Sequence, residues 1–234
     1  MKPQPGDSRI PRLAASACIA LKLWRPVRAQ TNMLRLPYFP AGSLPFGCAI
    51  LLAWAAVGLV IALLPSVLAA HGLARWSGFS TFTVISCGLL FQPLARAIPP
   101  SRAARLGMLV LPPSYALLAW GATQGSLAAV LLGALGASSS CYGFTYLGGL
   151  SAVNALAGAE KPRASAGFFL LAYIGFSLPV IFTGLLVDRL GAPMALLLFG
   201  LALAAGAALV ARAIGQSAAA SAAFPALAAA GQRD

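Results

Sequence analysis

The sequence predicts an all-α membrane protein, a polytopic bundle of six transmembrane helices. Six long apolar runs occupy residues 44–212, at about 44–70, 77–95, 106–123, 126–152, 165–187 and 192–211. Each meets or approaches the length of about 20 residues that a helix rising 1.5 Å per residue needs to cross about 30 Å of hydrocarbon. None carries a Lys, Arg or Glu in its middle. Composition points the same way: 60% of the residues are hydrophobic and 9% charged, against about 25% charged in soluble domains, and the mean hydropathy is +0.87. Backbone groups in hydrocarbon must pair within their own segment, so the spans should be helices; the alternation of a barrel strand, roughly ten residues long, is missing.

Residues 1–43 read as a basic N-terminal cytoplasmic segment, polar and rich in proline. Its most apolar stretch, Leu13–Leu21, is too short to span and is closed by Lys22 and Trp24. A signal peptide with Arg9 and Arg12 at its charged start, or an Arg-rich transit peptide, is an alternative, but no small-residue cleavage site follows. Pro37-Tyr38-Phe39-Pro40 then makes a stiff connector into the bilayer.

The first run carries Trp54, Gly58 and Pro65. Pro65, near the outer end, frees a carbonyl and is expected to kink the helix. Trp76 opens the second run at interface depth, and that run passes Thr81, Thr83, Ser86 and Cys87 on its way to Gln92-Pro93. A loop bearing Arg96, Arg102 and Arg105 leads to Gly107. Pro112-Pro113, close to the start of the third run, predicts a broken helix, which is tolerated at membrane depth only under cover of protein or a water-filled cavity. The fourth run is rich in glycine around Ser138, Ser139 and Ser140. Small residues let backbones approach, and serines bond across or back to their own helix. Tyr142 and Tyr146, four apart, share one face. The fifth run repeats the pattern with Tyr173 and Ser177 before Pro179, a second expected kink. The sixth, mostly Ala, Leu and Gly, suits a lipid-facing support helix, and residues 213–234 follow as a short Ala-rich cytoplasmic tail.

With the N-terminus cytoplasmic, fourteen of the sixteen Lys and Arg fall on the cytoplasmic side, and only Arg75 and Arg189 on the other. The positive-inside bias therefore places both termini inside. The net charge of +12 belongs to topology and anionic headgroups, so no nucleic-acid partner is expected. Thirteen Arg against three Lys, with heavy Ala and Gly, suggest a GC-rich bacterial genome and hence the inner membrane. The acids Asp7, Glu160, Asp188 and Asp234 sit in loops, tails or at a helix end. Cys18, Cys48, Cys87 and Cys141 show no metal or redox spacing, and His71 has no carboxylate nearby. Neither an enzyme, a metal site nor a cofactor is expected. What remains is a solute-facing surface. Tyr142, Tyr146, Tyr173 and Ser177, with Trp54 and Asn154 as weaker candidates, could stack on a small organic molecule and orient it. The competing role for each is packing between helices.

In order and spacing these residues resemble the C-terminal half of a major facilitator superfamily transporter, from about Phe46 to Arg212. The resemblance is carried by Trp54…Gly58-Leu59…Leu63-x-Pro65, by the glycine- and tyrosine-rich fourth run, and by Glu160-Lys161-Pro162-Arg163-Ala164. Tyr173-x-Gly175-Phe176-Ser177-Leu178-Pro179…Gly184 completes it. It implies helices seven to twelve of a twelve-helix carrier, small-molecule transport by alternating access, with efflux the preferred direction, and a partner: a second six-helix half or a homodimer. A truncated, non-transporting interaction module is the alternative. In the family a cytoplasmic loop has the form Gly-x-x-x-Asp-Arg-x-Gly. The corresponding loop here, with Arg96, Arg102, Arg105 and Gly107 as gating candidates, lacks the aspartate. The matching string, Gly184 to Gly191 with Asp188 and Arg189, is expected in the loop between the fifth and sixth spans, on the outer side.

Overall fold

A computed structural model of the chain describes residues 36–230, with side chains through residue 217. Among these residues every regular element is helical, and six helices are long and apolar enough to cross a membrane. They are α1 (Leu44–Ala70), α2 (Ala74–Arg96), α3 (Pro100–Gln124), α4 (Leu127–Leu156), α5 (Gly158–Leu190) and α6 (Ala192–Ala230). The N-terminal cations from Lys2 to Arg35, the stretch Leu13–Leu21, Cys18 and Arg233 lie outside the described residues.

The helix boundaries revise three expectations. First, the arginine loop shrinks to residues 97–99, because α3 begins at Pro100. Proline suits that position, where its missing N–H has no intrahelical acceptor to lose. Arg102 and Arg105 therefore sit on the opening turns of α3, and Gly107 is a buried position inside that helix rather than a loop glycine. Second, α3 is not broken at Pro112-Pro113, which lie mid-helix; the helix continues through both. The Ser114 hydroxyl donates to the Val110 carbonyl at 2.8 Å across the turn that contains them. Third, residues 184–190 are the last turns of α5, and only Gly191 breaks the chain. Its φ of +81° is a left-handed value that a side chain would resist. Asp188 and Arg189 thus belong to a helix end. At the other extreme α6 runs on past Arg212 to Ala230, in an alanine-rich stretch of high helix propensity.

Helix α1 is the centre of the bundle. It packs along α5 and also meets α2, α3, α4 and α6, burying Ile50, Ala53, Val57, Leu59 and Leu68. The most extensive contact pairs α3 with α4 across a two-residue turn closed by Gly125 in the left-handed conformation. Close approach depends on missing side chains. A Cβ on Gly175 of α5 would lie 2.7 Å from Leu51 Cα of α1, and one on Gly133 of α4 would lie 2.7 Å from Leu118 Cα of α3. Such backbone contact is how helices associate when dispersion and not water supplies the attraction.

Ahead of α1, residues 36–39 lie against the start of α5. Arg163 Nε donates to the Leu36 carbonyl at 3.0 Å, its guanidinium stands 5.8 Å from the Tyr38 ring centre, and the Tyr38 N–H donates to the Arg163 carbonyl at 3.1 Å. Arg163 also pairs with Glu160 at 3.1 Å. The pair is exposed and contributes about 0–1 kcal/mol. Arg163→Gln should therefore leave the unfolding midpoint almost unchanged while releasing residues 36–39, seen as faster amide exchange at Tyr38 and Phe39. Unchanged exchange there would mean that the arginine does not hold this segment.

Candidate functional site

The middle of the bundle contains two departures from α geometry, and they face each other. Within α2, residues Cys87–Phe91 form a 3₁₀ segment; within α4, residues Ser139–Thr145 form a π segment. Both change which backbone groups pair inside the helix, and the neighbouring helix takes up the difference. The Gly88 N–H donates to Ser138 Oγ at 2.6 Å, fully buried, and Gln92 Nε2 reaches the Tyr142 carbonyl at 3.5 Å. On the other side Ser140 Oγ donates to the Gly107 carbonyl at 2.7 Å, and the Cys141 thiol points to the Ala53 carbonyl at 3.3 Å. Gly107 is thus clasped by the π segment, with Thr145 Oγ1 against its α-carbon. π turns are rare and concentrate at functional positions.

Ser138→Ala tests the bond between α2 and α4. It strands the buried Gly88 N–H, and a loss of about 1–3 kcal/mol is expected on unfolding in detergent. No loss would mean that the N–H finds another acceptor.

The π segment also presents Tyr142 to α1. Trp54 of α1 is ringed by Tyr142 at 6.3 Å, Tyr173 at 5.7 Å and Phe176 at 6.2 Å between ring centres. The Tyr173 and Phe176 rings stand at 78° and 70° to the indole, edge-to-face arrangements that aromatic pairs favour. One turn towards the arginine-rich end, Tyr146 of α4 meets Phe169 of α5 at 6.0 Å. Beyond that, the Ser165 hydroxyl donates to Asn154 Oδ1 at 3.0 Å and ties α4 to α5. The result is an aromatic ladder along the junction of α1, α4 and α5. Tyr173 and Ser177 are on its open side, Tyr173 being 61% exposed.

Three of the sequence candidates, Trp54, Tyr142 and Tyr173, therefore meet in one cluster. Tyr146 belongs to the next rung and Ser177 lies exposed one turn along α5 from Tyr173. Asn154 serves the α4–α5 contact instead. Phe176 and Phe169 complete the ladder and were not singled out from sequence, although Phe176 is three residues from Tyr173 and so shares its side of the helix. Trp54 Nε1 is buried with no hydrogen-bond partner among the described residues, as are Ser80 Oγ and Thr145 Oγ1. A buried donor left unpaired costs free energy, so an indole N–H in that state favours any arrangement that brings it an acceptor.

The gating and motif candidates stand apart from this cluster. Arg96 ends α2, and the Arg105 guanidinium lies beside Gly215 of α6, 3.5 Å from where a Cβ on that glycine would stand. Gly184 faces open space, with nothing within 4 Å of an added Cβ. Pro65 and Pro179 both lie inside continuous helices; the Thr183 hydroxyl donates to the Pro179 carbonyl at 2.7 Å. No protein-family model, characterised protein or solved structure matches the chain.

Proposed function

We propose that the chain is an integral membrane protein, one six-helix unit of a major-facilitator-like carrier, and that the ladder at α1, α4 and α5 lines the path of a small organic solute. One observation carries the reading. Tyr173 and Ser177 put hydroxyls on the open side of the ladder in mid-helix, whereas α6 has no polar side chain from Ala192 to Ala211. Lipid tails suit the second surface, while polar groups at bilayer depth belong beside protein or water. The open side is covered by a second six-helix unit, another copy or a separate half, and alternating access arises as the two rock about the solute. Lipid, a small-molecule solute and that second unit are the partners; the reaction breaks no covalent bond.

The excess of arginine at the end of α2, at the starts of α3 and α5 and at Arg212 on α6 supports cytoplasmic termini and, in a bacterium, the inner membrane. Introduced cysteines at Ala97 and Ala74 should accordingly be labelled by a membrane-impermeant maleimide from opposite sides, Ala97→Cys from the cytoplasmic one. Transport itself is tested in proteoliposomes with a panel of fluorescent organic solutes. Saturable flux that falls when the ladder is altered is the expected result; absence of saturable flux for every solute, alone or with a complementary half, would refute the carrier reading.

A further inference from the structure

We infer that a groove between α3 and α6 is the seat of one phospholipid acyl chain, drawn from the leaflet opposite the arginine-rich end. The inference rests on the membrane reading and is independent of transport. The groove encloses about 530 Å³ between Pro112 and Trp120 on α3 and Pro193, Leu197, Gly200 and Ala204 on α6. Its floor is closed by Tyr115, whose hydroxyl donates to the Leu196 carbonyl at 3.2 Å and so offers no free donor to a ligand. Gly200, against the Tyr115 ring, and Ala204 leave the α6 wall short of side chain, which is why a slot exists at all.

Length and chemistry select the occupant. The lining runs from Pro112 to Thr123 on α3 and from Pro193 to Ala204 on α6. At 1.5 Å per residue each wall is roughly 17 Å long. One leaflet's share of a hydrocarbon core of about 30 Å is about 15 Å. Because the two helices run antiparallel, Thr123 and Pro193 mark the mouth at one membrane surface, while Pro112 and Ala204 mark the closed end near the midplane. An inserted helix would be about 10 Å across with its side chains, much wider than a polymethylene chain lying between two packed helices. Arg189, exposed and free of any ion pair among the described residues, ends α5 four residues before Pro193, so chain connectivity holds it at the membrane surface where the groove opens. A guanidinium there meets the phosphate of the lipid whose tail fills the slot.

The test uses the full chain purified in a mild detergent, incubated with phosphatidylglycerol and read by native mass spectrometry. One phospholipid per chain should survive detergent washing in the wild type. Its occupancy should fall at least about tenfold in Gly200→Phe/Ala204→Phe, whose rings fill the slot, and a few-fold in Arg189→Gln. Equal retention in the filled variant overturns the proposal, and so does a dimer that the filled variant dissociates, since a second copy would then be the occupant. Should the filled variant fail to fold, the variant Trp24→Phe/Trp54→Phe/Trp76→Phe leaves Trp120 as sole indole. Brominated phosphatidylcholine should quench it and remain bound after dilution into detergent; loss of quenching on dilution overturns the proposal. A chain that stays dissolved without detergent refutes the membrane reading, whereas one that needs detergent yet retains no lipid refutes the groove alone.

Discussion

Gly175→Leu is expected to cost about 3 kcal/mol or more of stability, enough to prevent recovery of a folded protein from membranes. The position is a point of direct backbone approach between α5 and α1, the most extensive packing that the central helix makes. A side chain there meets not another side chain but the Leu51 backbone itself, with Leu51 Cα 2.7 Å and its carbonyl carbon 2.8 Å from the new Cβ. Backbone cannot rotate away as a leucine tip can. The helices must separate, and every contact of α1 along α5 is weakened together. Gly184→Leu, nine residues further along the same helix, is the internal control. Its Cβ meets nothing within 4 Å, so the substitution should be neutral or gain up to about 1 kcal/mol of helix propensity. The two variants also separate two accounts of the Gly184-to-Gly191 string. If its first glycine has a role set by motif, Gly184→Leu should be harmful; from the packing it should not. Thermal unfolding in detergent, followed by helical circular dichroism, decides between them.

The second large effect separates stability from transport within the aromatic ladder. Trp54→Ala removes an indole that touches three other rings and should cost about 3–5 kcal/mol, the usual toll of a large aromatic deleted from a packed interior. Tyr173→Ala removes a ring that is mostly exposed and makes one edge contact with Trp54. That loss should be about 1 kcal/mol on unfolding. Flux should nevertheless fall by about tenfold, the equivalent of one aromatic contact to the solute worth about 1.5 kcal/mol. Tyr173→Phe, which keeps the ring and drops the hydroxyl, tells stacking from hydrogen bonding. Were Tyr173→Ala to leave flux intact while a transported solute is known, the ladder would be packing and the solute path would run elsewhere.

The six spans were legible because span length and apolarity are properties of consecutive residues. The run at 44–70 is reproduced to the residue by α1. The start of α3 was placed too late because Arg102 and Arg105 were counted as loop, although a charged helix end can extend beyond the hydrocarbon. The expected break at Pro112-Pro113 did not occur, since proline tolerance in a long helix depends on what surrounds it and not on proline alone. The candidate cluster was legible in its residue types: hydroxylated aromatics at mid-span are uncommon enough to stand out. Its membership was not. Nothing in the string Ser138 to Tyr146 distinguishes a π segment from an ordinary helix, and the sequence does not show that Asn154, a weaker candidate than Tyr142, is taken up by Ser165.

By itself the sequence determined that this chain makes long apolar helices and where most of them begin and end. Each backbone N–H pairs with a carbonyl four residues earlier, so the decision rests on neighbours along the chain. Only the tertiary structure decided which rings surround Trp54, that the Gly107 carbonyl accepts from Ser140, and that α3 and α6 leave an apolar groove between them. Those contacts join residues 33 to 122 positions apart, by the numbering of Gly107 with Ser140 and of Trp54 with Phe176. They depend on how far each helix is turned about its axis, which is set by the few glycines where two backbones touch.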